Sequence, residues 1–495
     1  MWLLSVDSLE LKEFIGTDIP PYAILSHTWG AEEVSFVEMK KQKYRDQAKA
    51  KAGFSKIGGC CARAKKDGYN WAWVDSCCID KRSSAELSEA INSMFPWYKH
   101  SEICYVYLSD VPGGLYDYDT LANSKWFTRG WTLQELLAPC KILFFAQDWT
   151  VFGQIGNFNS VYHIVPREND NQKYARLKAW LDVTQWVSRI TQIPEPFITG
   201  QKRLEQACVS QRMFWASSRK TSRPEDWAYS LMGLFGIHMP IIYGEGLEKA
   251  FVRLQQEIFS TTPDQSIFAW YISGMTTFRL LANTPACFRN SGNVRRLGQE
   301  IQRSKAENSS FHMTNLGLQI TLPIYSNKGN GFKKQREATL NCQVEDKNGN
   351  PRQLSLALSY LDSEMGGRVI YMCRRPDTWT FSSKMGHPTS ICIRGIGYDA
   401  SEPEPPPAPP RGALSAGNIM EQCLSIISSA TNIDKKTLED GLTFSEIGAD
   451  SFALVEVMFL IKHNLGVEVD MYDFYANPSI GMFICHVMLE WEGKT

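Results

Sequence analysis

Residues 402–410 read Glu-Pro-Glu-Pro-Pro-Pro-Ala-Pro-Pro, and this run divides the chain. Each proline lacks a backbone N–H and fixes φ, so the run can enter neither a helix nor a sheet. It favours extended polyproline geometry, at about 3.1 Å per residue, and so spans roughly 25 Å or more. Any core must therefore form on one side of residues 401–414 or the other. A chain of 495 residues also exceeds one hydrophobic core, and two to four domains are expected.

Charge differs across the linker. Residues 415–495 carry twelve acidic and four basic side chains, a net of −8. The remaining residues carry 41 acidic and 48 basic side chains, a net of +7, so the overall −1 conceals two opposed parts. Acidic modules dock onto basic patches, and the asymmetry suits a small module that visits partners. Apolar content of 43 % is that of an ordinary globular chain. No apolar run reaches membrane-spanning length, so no membrane span is expected. Met1–Val6 lacks a basic leader and soon meets Asp7 and Glu10, which predicts no signal peptide and a cytoplasmic location. No nucleic-acid partner is expected. The thirteen cysteines include the neighbours Cys60-Cys61 and Cys77-Cys78 but no Cys-x-x-Cys pair. Reduced, buried thiols are expected, and no metal.

Residues 1–150 alternate short apolar runs with helical spacing. Tyr22–Ser26, Asn70–Val74, Ile103–Leu108 and Lys141–Phe145 read as strands buried on both faces. Residues 54–67, 84–99 and 124–137 read as the intervening helices. Such alternation predicts an α/β domain with a mostly parallel sheet. Residues 151–262 read as a helical extension, with one helix starting at Ser222-Arg223-Pro224-Glu225 and another from Gly246 to Phe259. In residues 263–400, Leu318–Leu322, Ala338–Val344 and Leu354–Leu358 alternate as antiparallel strands. Asp346–Asn350 supplies hairpin-turn chemistry between the last two. No internal repeat is evident.

After the linker, Ile447-Gly448-Ala449-Asp450-Ser451-Phe452 opens an apolar helical run to Leu465. Met471–Tyr475 and Asn477-Pro478-Ser479-Ile480 follow, and a leader helix is expected over Ile419–Ala430. A serine at a helix start can carry a phosphate beside unpaired N–H groups and the positive end of the helix dipole. Residues 415–495 resemble a phosphopantetheinyl acyl carrier domain, a four-helix bundle. The resemblance implies covalent 4'-phosphopantetheine on Ser451, preceded by Asp450. Phe452 stands where the family more often has leucine. It also implies partners: a phosphopantetheinyl transferase that loads the arm, and acyl-loading or condensing enzymes that use it.

A second resemblance lies in the first half. Its blocks are Tyr22–Gly30, Trp73–Lys81, Glu86–Met94, Ser124–Glu135 and Arg219–Leu231, followed by Tyr243-Gly244-Glu245-Gly246 and Ser266–Trp270. In this order they resemble the heterokaryon-incompatibility (HET) domain of filamentous fungi. The resemblance implies non-self recognition and cell-death signalling, with other incompatibility proteins as possible partners. No Walker loop or WD-type repeat accompanies it. A fold-level analogy to TIR domains implies a TIR- or flavodoxin-like sheet and a NAD-cleaving alternative.

Ligands of open parallel sheets bind outside the carboxyl ends of the strands. His27, Thr28, Trp29 and Gly30 follow the first expected strand, Asp75–Asp80 the second, and Ser109 and Asp110 the third. In the catalytic reading, Glu86 orients a ribose or stabilises positive charge, His27 and Asp75 line the pocket, and Trp29 stacks on a base. In the competing reading, Asp75 and Asp80 cap a helix, while His27 and Trp29 are packing. Cys78 with His27 is a further candidate pair, for acyl transfer. Arg129 could bind phosphate or pair with Glu135 or a strand-end carboxylate, and Arg219 and Arg223 could bind an anion or pair with Glu225 or Asp226. Three functions therefore stand at this stage. They are a carrier-bearing HET protein tied to incompatibility or secondary metabolism, a NAD-cleaving effector using Glu86, and a non-catalytic interaction protein with a degenerate carrier.

Overall fold

All four apolar runs of the first segment become neighbouring parallel strands in the computed structural model. The structure describes residues 1–156, 182–272, 279–297, 311–326, 335–345, 350–360, 370–374, 387–394 and 416–431, with short interruptions. It also describes isolated positions to 479 and residues 480–492. The strands are β1 (Trp2–Ser5), β2 (Leu11–Glu13), β3 (Ala23–His27), β4 (Trp71–Trp73), β5 (Ile103–Tyr107), β6 (Lys141–Phe145) and β7 (Val151–Gly156). Their order is β2-β1-β4-β3-β5-β6-β7. The central β4-β3-β5-β6 block is parallel, but β1–β2, β1–β4 and β6–β7 pair antiparallel. The sheet is therefore mixed, a correction to the mostly parallel expectation. The outermost pairs, β1–β2 and β6–β7, are joined by short connections, which return the chain antiparallel without a crossover.

The helix Phe54–Lys66 buries Ile57, Cys60, Cys61 and Ala64 at helical spacing, and this face covers the sheet core. Gly59 lies on the same helix. The β6–β7 turn carries Trp149 at φ 63, with its ring stacked 4.9 Å from Tyr107. A Cβ on Gly59 would lie 2.1 Å from that indole. Alanine favours a helix interior over glycine by about 1 kcal/mol. An overlap of this depth costs about 1–3 kcal/mol, because packed neighbours must move. Gly59→Ala should thus lower the unfolding free energy in a urea titration, and a gain would contradict this packing.

Two helix expectations need correction. The run 124–137 is broken into a 3₁₀ turn, Lys125–Thr128, and a helix, Thr132–Leu137. The break falls where Arg129 bridges to Lys220 and Gly130 N–H donates to the Lys220 carbonyl at 2.7 Å. A tertiary strand-like contact thus overrides local propensity. Ser222 does not open a helix; a single turn starts only at Asp226. Glu225 instead points its carboxylate at the N–H groups of Gly244 (2.8 Å) and Gly246 (3.1 Å). The later helix, Leu247–Thr261, begins as expected behind Gly246.

The second sheet comprises β8 (Arg295–Arg296), β9 (Phe311–Thr314), β10 (Gly317–Ser326), β11 (Gln335–Glu345), β12 (Pro351–Tyr360), β13 (Ile370–Arg374) and β14 (His387–Arg394). Its order is β8-β11-β12-β13-β14-β10-β9, and an added β10–β11 pairing closes five strands into a ring. All pairings are antiparallel except β13–β14, which is parallel. The β11–β12 register brings Glu345 opposite Pro351, and the turn residues 346–349 lie outside the described residues. One buried apolar cluster runs from Leu3 to Ile393, across the expected boundaries at 150 and 262. The chain accordingly divides into two compact units, Met1–Gly397 and Tyr398–Thr495.

The second unit has a core of its own. The helix Ala416–Thr431 supplies Ile419, Cys423, Ile426 and Ile427, and the helix Ile480–Glu492 supplies Ile480, Phe483, Ile484 and Val487. Val457, Ile461 and Leu465 are helical and buried at spacings of four, on one face of the expected apolar helix. Phe444 meets Phe483 edge-on at 5.2 Å. Thr443 and Glu446 form a reciprocal cap, with both N–H groups satisfied by the opposite side chain. The linker 401–414 and both Asp450 and Ser451 lie outside the described residues. No described helix is long and apolar enough to cross a membrane.

Candidate functional site

β3 ends at His27 and β4 ends two residues before Asp75, so the parallel pair delivers both to the carboxyl edge of the sheet. Asp75 accepts from His27 Nε2 at 2.8 Å and from the Trp29 indole N–H at 2.7 Å. The His27 side chain is 2 % exposed and that of Asp75 21 %. Burial works against a charged Asp75. The His27 ring, Lys81 and the Trp29 N–H outweigh it and hold the carboxyl well below the usual carboxylate range. Among the described residues, His27 Nδ1 and the Ser76 hydroxyl are buried without a hydrogen-bond partner. The Lys81 ammonium sits 3.5 Å from the centre of the Trp29 ring, and Trp29 remains 43 % exposed.

The loop that follows β3 is pinned from below. Lys56 donates to the Thr28 carbonyl at 2.9 Å and pairs with Glu33, which also accepts from Gly30 N–H at 2.6 Å. Thr28 reaches the Ser109 hydroxyl at 3.4 Å. Asp110 caps the 3₁₀ turn through Ser124 and the Lys125 N–H, both at 2.8 Å.

Glu86 has a different environment from His27 and Asp75. Its carboxylate accepts from Asp80 N–H at 3.0 Å, while its own N–H donates to Ser83 Oγ at 3.3 Å. Ser83 Oγ thus caps the helix Ser84–His100, while the Glu86 carboxylate ties back to the preceding loop at Asp80. Among the described contacts none joins Glu86 to His27 or Asp75. Cys78 Sγ accepts from Val74 N–H at 3.4 Å and has no described contact with His27. Hydrogen bonding to Cys78, together with burial, pushes the Cys77 thiol well up, away from thiolate chemistry. Among the described residues no group of His, Cys, Asp or Glu is arranged to hold a metal.

The arginines separate. Arg219 is 3 % exposed and donates to the Arg129 carbonyl and Thr132 Oγ1, both at 2.9 Å. Arg129 reaches Ser222 Oγ at 3.5 Å. Arg223 lies 4.1 Å over the Tyr243 ring, whose hydroxyl donates to Asp226 at 2.9 Å.

Glu135 is a residue that sequence reasoning offered only as a partner for Arg129. It sits on a short helix whose six residues are all buried. Its carboxyl meets the Ser26 hydroxyl, which in turn accepts from the Trp126 indole at 2.7 Å. An acid inside the run Thr132-Leu133-Gln134-Glu135-Leu136-Leu137 was the available signal. Burial pushes Glu135 from 4.5 up to about 8. The unfolded chain releases that proton near 4.5, so between these values the folded state binds more protons. Stability should therefore be highest at the acid end and fall as pH rises towards 8, by at most about 1.4 kcal/mol per pH unit. Asp75 acts in the opposite sense, but only at more acid pH. Glu135→Gln should flatten the slope in urea titrations between pH 5 and 8, and an unchanged slope would assign it elsewhere.

Three family models match. "Heterokaryon incompatibility protein (HET)" covers residues 22–113 and "Phosphopantetheine attachment site" covers 422–487. A "Domain of unknown function (DUF8212)" covers 249–314. The chain carries a HET domain and a phosphopantetheine attachment domain. The HET match encloses β3, β4, β5, His27, Asp75 and Glu86. The vegetative incompatibility protein HET-E-1 of Podospora anserina is 43 % identical over 256 residues, 50 % of this chain and 17 % of that protein. The non-reducing polyketide synthase nscA of Trichophyton rubrum is 29 % identical over 106 residues, 21 % of this chain and 6 % of that protein. The chain thus spans less than a fifth of the length of these curated relatives. No solved structure matches. The phosphopantetheine attachment domain is a site of covalent 4'-phosphopantetheine attachment to serine.

Proposed function

We propose that this protein is a HET-domain effector whose tethered carrier holds an acyl or aminoacyl group on phosphopantetheine at Ser451. One observation carries the reading: the attachment-site match over 422–487 encloses a single Asp-Ser pair, Asp450-Ser451. The independent core of the second unit supports it, since a carrier must fold apart from its partners to move between them. We assign it the four-helix carrier bundle, and the HET domain a TIR- or flavodoxin-like sheet. Segments 1–150, 151–262 and 263–400 then act as parts of one effector unit, and 401–414 as the tether. Similarity to a polyketide synthase points to acyl chemistry of secondary metabolism. Similarity to HET-E-1 points to incompatibility signalling, with other incompatibility proteins as partners. A phosphopantetheinyl transferase loads the arm, and acyl-loading or condensing enzymes supply and draw its cargo. Every described cysteine is a free thiol, which suits a reducing cytoplasm. A broad-specificity transferase supplied with a fluorescent coenzyme A analogue should label the full chain, and the label should stay with the peptide that contains Ser451. No label, or label on another peptide, would overturn the reading.

The second reading, NAD cleavage by Glu86, draws on the polar residues gathered at the strand ends. The Glu86 carboxylate accepts there from the Asp80 N–H, so this reading requires that bond to open when substrate binds. Nicotinamide release by the wild type, lost in Glu86→Ala, would favour it. Absence of turnover in both proteins would leave the carrier reading or a purely interacting protein with a degenerate carrier.

A further inference from the structure

Lys12, Lys40, Lys41 and Lys43 are exposed around the outermost strand β2, and among the described residues none has a carboxylate partner. Three of them rest over aromatic rings. Lys12 Nζ lies 5.2 Å from the centre of the Phe14 ring and 5.9 Å from that of Trp71. Lys40 Nζ lies 3.3 Å from Trp2 and 5.7 Å from Phe36, and Lys41 Nζ lies 5.8 Å from Tyr44. Lys43 follows on the helix Gln42–Ala48. The rings hold one another: Trp2 meets Phe36 edge-on at 5.2 Å, and Phe14 meets Trp71 at 5.0 Å. In the β1–β2 register Trp2 lies opposite Glu13 and Leu3 opposite Lys12. Successive side chains of a strand point to opposite faces, so Lys12 and Lys40 flank the two faces of one sheet edge. Just past β2, Ile15 is 76 % exposed, and Tyr44 beside Lys43 is 37 % exposed. Most nearby acids are engaged: Glu10 lies 3.7 Å from Arg45, Glu38 pairs with Lys51 at 2.7 Å and Asp46 with Lys49 at 2.9 Å. Glu13 and Asp18 are exposed and oppose the four lysines, which leaves the edge positive.

We propose that this edge binds the surface of an anionic lipid bilayer, with the four lysines at the headgroups and Ile15 in the outer apolar layer. Unpaired lysines alone fit any polyanion. The exposed isoleucine fits a surface that is anionic and apolar at once, where lysine stems lie along apolar groups and aromatic rings take the interfacial level. Nucleic acid fits less well, because Trp2 and Phe14 each have a lysine over the ring and a second ring against it, which leaves little room for base stacking. The protein lies on the bilayer and does not span it. None of these residues belongs to the carrier or to the strand-end site, so the proposal stands or falls independently of both readings above.

Co-sedimentation of the full chain with vesicles of phosphatidylcholine, alone or with about one-third phosphatidylserine, tests the assignment. The chain should pellet with the anionic vesicles and not with the neutral ones, and partitioning should weaken as salt is raised. Lys41→Ala and Lys43→Ala should each weaken partitioning about fivefold, the contribution of one charge near such a surface. Ile15→Ala should weaken it about fivefold or more, through lost apolar burial. Glu13→Gln should strengthen it. Unchanged unfolding midpoints would show that the variants are folded. Absence of partitioning, equal partitioning onto neutral vesicles, or indifference to Lys41→Ala and Lys43→Ala would each overturn the proposal. Losses in the lysine variants with none in Ile15→Ala would mark a plain polyanion site, as for nucleic acid, and would overturn it too.

Discussion

Arg219→Met should destabilise the first unit by about 3–5 kcal/mol, read as a large drop in its thermal unfolding midpoint. Arg219 is buried, and its guanidinium bonds the carbonyls of Arg129 and Trp215 and the hydroxyl of Thr132. Burial lowers the group to about 9, with Glu135 opposing that shift. Replacing a buried ion by an apolar residue can be neutral when all its partners leave with it. Here two of the three acceptors are backbone carbonyls that lose a donor: the buried one of Trp215, and that of Arg129, which still lies 2.9 Å from the Thr132 hydroxyl. Their desolvation decides the sign, at roughly 1–3 kcal/mol for each unsatisfied group. Arg219→Lys should recover only part of the loss, since one ammonium cannot span the same fork. A methionine variant within about 0.5 kcal/mol of wild type would mean that these bonds contribute little, because surface-like effects are of that size.

Ser451→Ala should abolish loading of the second unit while leaving its fold intact. The hydroxyl oxygen is the atom that takes the phosphoryl group, and alanine offers no substitute. The buried face of that unit is built from other residues, including Ile419, Cys423, Val457, Ile461, Phe483 and Val487. Asp450→Ala should impair loading less completely, since it removes a charge next to the serine and not the acceptor atom.

The central sheet was legible because β3 to β6 are continuous apolar runs, and a parallel strand buried on both faces has no other pattern. The antiparallel edges were not, because Trp2–Ser5 and Leu11–Glu13 are too short to show a period. The helix expected over 124–137 failed for a tertiary reason, the Lys220 contact at Gly130, which no local pattern encodes. At the candidate site, the grouping of His27, Asp75 and Trp29 followed from strand ends alone. Glu86 showed the limit of that logic: it lies in the first turn of its helix with its carboxylate on the Asp80 N–H and its own N–H on Ser83 Oγ, away from His27 and Asp75.

Intact mass of the full chain, before and after incubation with a phosphopantetheinyl transferase and coenzyme A, tests the carrier assignment most directly. The wild type should gain the mass of one phosphopantetheine arm and Ser451→Ala none. An unchanged wild-type mass, or an arm still gained by Ser451→Ala, would contradict it.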